Sequence, residues 1–370
     1  EDIHGIGFSS ADRIAASLGI EKDTPVRLQA GLEHILHRAA GEGHVYLPAA
    51  ELLAETGELL KVPAEALHSP LEELCTRERL VREREDIFLR YLHAAETGVV
   101  SSLKRLLSTP LEPLQVHLEN ALLWVEKTQQ ISLSPEQRDA IARAITSKVL
   151  IITGGPGTGK TTIIRSLLAI LEKKGLSFLL AAPTGRAAKR MEAATGREGQ
   201  TIHRLLEYSP KSSGFARSEF NPIITDLVVL DEASMIDVQL MNSLLRALPP
   251  FTRLIIVGDV DQLPSVGPGT VLFDLIASQL VPVVRLQTVF RQAAESGIVR
   301  SAHLINEGKM PEFNQHDFFH IERTDPVHCV ETLVEVVTRR LPATFHLDPI
   351  RDIQVLAPMR RGEAGVNNLN

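Results

Sequence analysis

The stretch "IITGGPGTGKTT" (residues 151–162) sets three apolar, mostly β-branched residues before a glycine-rich loop that ends in Lys-Thr-Thr. A strand running into such a loop, with a helix opening at the lysine, is the context that the pattern Gly154-x-x-x-x-Gly159-Lys160-Thr161 requires to hold phosphate. Backbone N–H groups of Gly155, Gly157, Thr158 and Gly159 would cradle the phosphates, with Pro156 completing the loop and Thr162 in the helix start. Lys160 would reach the β and γ oxygens, and the Thr161 hydroxyl would ligate Mg²⁺. A chance glycine-rich turn is the bland alternative, and the rest of the chain decides between them.

Outward from this loop, short apolar runs alternate with amphipathic helices. The runs are "VLIIT" (149–153), "SFLLAAP" (177–183), "LVVLD" (227–231), "RLIIVGD" (253–259) and "VVRL" (283–286). Continuous apolar strands separated by helices predict an α/β fold, a parallel sheet covered on both faces. Helices are predicted over 160–174, closing at Gly175, and 185–195, closing at Gly196. A second unit is expected to open with strand 318–322, helix 326–341 and strand 353–358.

"LVVLDEAS" puts Asp231 and Glu232 at the C-terminal end of a buried strand, where ligands sit in an open α/β sheet. One carboxylate suits Mg²⁺, through water, and its neighbour suits orienting the water that attacks the γ-phosphate. An acidic helix cap would look the same in isolation. "IIVGDVDQLPSVGPG" ends the next strand and sets Gln262 where a neutral amide can register a γ-phosphate by hydrogen bonds. "LQTVFRQ" leaves Arg291 just past a short strand. There it can donate to a transferring phosphoryl group, or serve as an ordinary surface ion-pair partner.

The first hundred residues are different in kind, mostly helical by pattern and acidic. They hold 10 Lys and Arg against 18 Asp and Glu, leaving 29 against 28 for the rest of a chain whose net charge is -7. That balance argues against a long polybasic grip, and leaves room for a local nucleic-acid groove. "DIHGIGFSSADRIAASLGI" places Gly5 and Gly7 before a Ser9/Ser10 cap and a short helix closing at Gly19. It reads equally as half of a helix-hairpin-helix, exposing backbone N–H groups to a DNA phosphate, or as a capped helix after a turn. No run approaches the ~18 apolar residues of a membrane span, and no export signal opens the chain. Cys75 and Cys329 stand far apart with no ligand spacing, so a reducing cytoplasm is the expected compartment. The chain lacks an initial Met and stops in "GVNNLN", and is expected to be a piece of a longer protein.

Taken in order, these segments resemble superfamily 1 DNA helicases, most closely the RecD-like branch that translocates 5′ to 3′ and, in bacteria, acts without RecB and RecC. "LSPEQRDAI" resembles the Q motif, "GGPGTGKTT" motif I, "APTGRAAKRM" motif Ia and "TIHRLL" the next DNA-facing segment. "LDEASM" resembles motif II, "GDVDQLPSVGPG" motif III and "VFRQ" motif IV. The N-terminal glycine turn, followed by "EGHVYLP", is similar to the helix-hairpin-helix region that precedes the motor in that branch. The first hairpin helix is missing here.

The resemblance implies P-loop NTPase, RecA-like parallel sheet domains behind an α-helical helix-hairpin-helix region. Its boundaries would be residues 1–95 for that region, 96–130 for a helical linker, 131–300 for the first motor domain and 301–370 for the start of the second. It implies that Gln137 reads adenine, that ATP and Mg²⁺ are used, and that Pro183, Thr184, Gly185, Arg186 and His203 face single-stranded DNA. A Thr hydroxyl, a Gly N–H and an Arg are sequence-blind phosphate donors at a helix start. Residues 207–223 would form the small hairpin that wedges a single-strand/duplex junction, or else a flexible loop. Motifs completing the second motor domain are not matched, and the chain by itself is not expected to unwind. The expected protein is monomeric, with single-stranded-DNA-binding protein as a partner. Two rivals remain at this point: the helicase portion of a conjugative relaxase, and a non-hydrolysing DNA-binding protein that keeps nucleotide as a structural ligand. His34 and His37, Trp124 and the charged run over 77–90 read as structural features.

Overall fold

The computed structural model describes residues 7–19, 21, 23–211, 214–288, 296–313 and 317–370. They fall into two units that divide between residues 294 and 295.

The first unit begins with α1 (Phe8–Ser17), α2 (Pro25–Gly41), β1 (Tyr46–Pro48), α3 (Ala49–Leu60), α4 (His68–Thr76), β2 (Leu80–Glu83), β3 (Asp86–Leu89) and α5 (Arg90–Ser108). One expectation is corrected here: helix α1 already includes Ser9 and Ser10, so they do not cap it. The region is mostly helical, as expected, and adds an antiparallel sheet in the order β1, β3, β2. The charged run over 77–90 is its hairpin. Ile87, Phe88 and Leu89 turn into the interior while the arginines and glutamates stay outside. Helix α5 runs unbroken through residues 95 and 96, where a boundary was expected. It lies against α11 (Val238–Ala247), and Arg105 donates to Leu245 O at 3.0 Å and Leu248 O at 2.9 Å, closing that helix's C-terminus.

After α6 (Leu118–Gln129) and α7 (Pro135–Thr146) come β4 (Val149–Gly154), α8 (Lys160–Lys173), β5 (Phe178–Ala182), α9 (Gly185–Thr195), β6 (Gly199–Thr201) and α10 (Ile202–Leu205). The chain continues through β7 (Tyr208–Ser209), β8 (Gly214–Phe215), β9 (Leu227–Leu230), α11, β10 (Arg253–Gly258), α12 (Val271–Ser278) and β11 (Val283–Leu286). Six strands form one all-parallel sheet in the order β11-β4-β10-β9-β5-β6. The two-residue period of a strand divides its apolar side chains between two cores. Val149, Ile151, Leu254 and Ile256 enter the core shared with α10–α12 and the N-terminal region. Leu150, Ile152, Ile255 and Val257 enter the one under α6–α9. Each fully buried Ile or Leu contributes about 1.5–3 kcal/mol, so both faces must stay covered, as the unbroken apolar runs anticipated.

In the second unit, the helix Gly297–Asn306 starts at Ser296, whose side chain accepts from Val299 N, and Asp317 accepts from Gly297 N at 2.7 Å. The helix Pro326–Glu335 is capped by Asp325 and continues through a π turn, Val336–Arg340, into Leu341–Phe345. The strands expected at 318–322 and 353–358 are not formed. An extended apolar run becomes a strand only when a neighbouring strand pairs with it, and among the described residues after 296 there is no strand, with Phe318 in a single bridge.

Candidate nucleotide and nucleic-acid site

The loop between β4 and α8 owes its shape to three glycines. Gly157 and Gly159 hold φ of 76° and 81°, and Gly159 is the left-handed residue from which α8 starts. A Cβ at Gly154 would lie 2.8 Å from Leu286 O and 3.0 Å from Thr158 Oγ1, so β4 and β11 can approach only without one. Lys160 Nζ lies over the loop and donates to Gly154 O at 2.5 Å and Gly155 O at 2.9 Å.

Three neighbouring strand ends converge on that lysine. Asp231 and Glu232 follow β9, and Asp259 follows β10. Burial pushes the Lys160 amine below its ordinary value, while the charges of Asp259, Glu232 and Asp231 act the other way. Burial raises the Asp231 carboxyl, helped by Glu232; the Glu232 N–H it accepts at 3.0 Å, with Lys160 and Arg190, opposes the rise. A buried carboxylate held among partial and full positive charges fits a divalent cation, which would remove the cost of its charge. Glu232 itself sits at φ 53°, an uncommon conformation for a non-glycine residue. Gln262 is exposed, and its Nε2 donates to buried Asp259 at 3.3 Å. Arg291 lies outside the described residues.

Gln137 is 2% exposed. Its amide is used within the protein: Oε1 accepts from Ser134 N in a capping box at the start of α7, and Nε2 donates to Thr158 O at 3.4 Å. The α7 N-terminus is thereby tied to the phosphate loop. The neighbouring Glu136 accepts from Gln287 N and Thr288 N just after β11.

Pro183 leads into α9, whose N-cap Thr184 accepts from Ala187 N at 3.2 Å; Gly185 and Arg186 follow, both exposed. His203 on α10 is exposed and makes ring contacts with Tyr208 at 5.7 Å and Phe215 at 5.7 Å, which themselves meet at 5.5 Å. The last two lie opposite each other on the β7–β8 hairpin, within the insertion expected over 207–223. Gly7 precedes α1 and its carbonyl accepts from Ser10 N and Ala11 N of the first turn, whereas Gly5 lies outside the described residues. Sequence reasoning missed Arg190. It lies one helical turn beyond Arg186 on α9, and its Nη1 donates to Glu232 Oε1 at 3.3 Å.

Comparison with known proteins agrees with these motifs. Residues 137–268 match the family described as an AAA domain, and residues 1–46 match the one described as the ATP-dependent RecD2 DNA helicase HHH domain. The ATP-dependent RecD2 DNA helicase of Deinococcus radiodurans is 32% identical over 100% of this chain and 52% of its own length. The RecBCD enzyme subunit RecD of Mycolicibacterium smegmatis is 35% identical over 64% of this chain and 49% of its own. The ATP-dependent DNA helicase dda of Enterobacteria phage T4 is 36% identical over 32% and 28%. The chain thus spans about half the length, or less, of the curated relatives it matches.

Proposed function

Because this chain belongs to the RecD-like helicase family, we propose that it is the ATP-hydrolysing part of a motor that steps 5′ to 3′ along single-stranded DNA and opens duplex at junctions. The observation that carries this reading is the convergence of Lys160, Asp231, Glu232 and the Asp259–Gln262 pair at the C-terminal ends of three adjacent strands. Residues 131–300 are the first motor domain in this reading, 301–370 the start of the second, 1–95 the helix-hairpin-helix region and 96–130 its link. The motor works as a monomer, with single-stranded-DNA-binding protein as its companion.

The N–H groups of Gly155, Gly157, Thr158 and Gly159, in a loop shaped by Pro156, bind the phosphates, and Lys160 neutralises the charge that grows on them. Glu232 orients the attacking water, Gln262 registers the γ-phosphate, Gln137 reads the adenine, and Arg291 donates to the transferring group. Thr161 and Asp231 would hold Mg²⁺, which would supply positive charge to offset that of the phosphates. Pro183, Thr184, Gly185, Arg186 and His203 line the DNA track, with Gly5 and Gly7 a second phosphate contact.

The test is steady-state ATP hydrolysis by the full-length protein, with and without a single-stranded oligonucleotide. Stimulation by DNA, lost about a hundredfold or more in Lys160→Ala and in Glu232→Gln, is the expected result. Hydrolysis indifferent to DNA would sink the reading.

A further inference from the structure

We propose that Arg190 is a positioning residue that restrains Glu232 until DNA draws the arginine away, so that DNA occupancy sets how fast ATP is hydrolysed. The inference rests on the function just proposed and adds a device to the same site.

The geometry comes from two segments 42 residues apart in sequence. Arg190 Nη1 donates to Glu232 Oε1 at 3.3 Å, with the arginine side chain 76% exposed and the glutamate 21% exposed. The main chain of Glu232 is already committed: its φ is 53°, and its N–H is held by Asp231 Oδ1 at 3.0 Å. The side chain is therefore what can move, and Arg190 holds it. A carboxylate that accepts a guanidinium hydrogen bond has one oxygen occupied and its negative charge partly neutralised. Both effects make it a poorer partner for the attacking water.

Arg190 is placed to be removed by DNA. It lies on α9, the helix whose first residues are assigned to the DNA track, and it shares a face with Arg186 because residues four apart on a helix are neighbours. A phosphate arriving along that face offers a guanidinium two charge-assisted hydrogen bonds. Against it stands a single bond to a carboxylate, in a pair open to water and salt. Exposed ion pairs are weak, and the upper end of their range corresponds to about a fivefold population shift. A restraint of that size leaks, so DNA-free hydrolysis should be slow rather than absent.

The full-length protein, Arg190→Ala and Arg190→Lys would be compared by steady-state ATP hydrolysis, with no DNA and with saturating oligothymidylate. Arg190→Ala is expected to raise the DNA-free turnover about two- to fivefold with KM for ATP unchanged. The stimulated turnover should hold, so the stimulation ratio falls by the same factor, and Arg190→Lys should restore part of it. Raising salt should lift the DNA-free rate of the natural protein and leave that of Arg190→Ala flat. A merely structural arginine would lower both rates together.

The inference is overturned if Arg190→Ala keeps the natural stimulation ratio while the natural protein is stimulated by DNA, and the function proposed above then stands. If the natural protein shows no DNA stimulation, both fall.

Discussion

Helix α5 meets α11 at Gly98, where an added carbon would have to displace the Asn242 side chain, and replacing it gives a prediction whose sign depends on that second residue. A Cβ at Gly98 would lie 2.3 Å from Asn242 Oδ1 and 2.9 Å from its Cγ. Forcing extra carbon into a packed contact costs about 1–3 kcal/mol. Alanine in mid-helix regains about 0.8–1 kcal/mol over glycine, so Gly98→Ala alone should destabilise by about 0–2 kcal/mol. Asn242 Oδ1 is buried without a hydrogen-bond partner, which makes Asn242→Ala a mild change that also clears the obstruction. In that background Gly98→Ala should stabilise, by about 1 kcal/mol. The coupling between the two changes is then the clash itself, about 1–3 kcal/mol. Urea unfolding of the four variants, followed by the fluorescence of the single tryptophan, Trp124, reads the cycle. The reasoning is refuted if Gly98→Ala has the same sign and size with and without Asn242.

Two further outcomes follow from the site. Burial raises the Asp231 carboxyl, so the native state holds its proton more tightly than the unfolded chain. Stability from this group is fully present below the unfolded value and is lost as pH rises through the raised native one. At neutral pH Asp231→Asn should therefore raise the melting temperature, by about 2–4 °C per kcal/mol relieved, while ending Mg²⁺-dependent hydrolysis; a lower melting temperature would contradict it. Tyr208→Ala or Phe215→Ala should weaken single-stranded DNA binding by about 1–3 kcal/mol, leaving DNA-free ATP hydrolysis in place. Unchanged affinity by fluorescence anisotropy would reduce the aromatic cluster to packing at the root of the hairpin.

Much of the sheet was legible because burial on both faces leaves a strand no polar alternation, and "VLIIT" or "LIIVG" has few other uses. The ends of α8 and α9 were legible for a local reason: Gly175 and Gly196 take φ of 72° and 69°, which glycine adopts without strain. The N-terminal sheet was not legible because its hairpin turns at Arg84, a non-glycine residue at φ 57°. No Asn-Gly or Asp-Gly pair marks that turn, and its charges look like a solvated face. The expected strands after residue 317 show the opposite failure, since an apolar run signals a strand without showing what pairs with it. Gln137 and Arg190 show the limit for sites. Their types were visible, but Gln137 bonding the loop carbonyl of Thr158, and Arg190 reaching Glu232 across 42 positions, are products of tertiary packing.

The N-terminal region is packed onto the parallel-sheet region through contacts that run in an unbroken line. Helix α5 rests on α11 at Gly98, and α11 begins just after Asp237, which is five residues beyond Glu232. Asp237 caps α11 through Leu240 N, and a Cβ at Gly267 would lie 2.4 Å from its carboxylate, so the loop bearing Gln262 is seated on the same cap. That loop is then tied back to the N-terminal region, because Gly269 N donates to Gly43 O at 3.0 Å. A packed interior transmits displacement rather than absorbing it. Shifting α5 by a few tenths of an ångström must therefore be taken up at α11, at the cap, or at the loop. The Gly98→Ala substitution consequently carries a second readout: if the clash is relieved by tilting α11, KM for ATP rises along with the loss of stability. If the Asn242 side chain alone rotates away, stability falls and KM does not move.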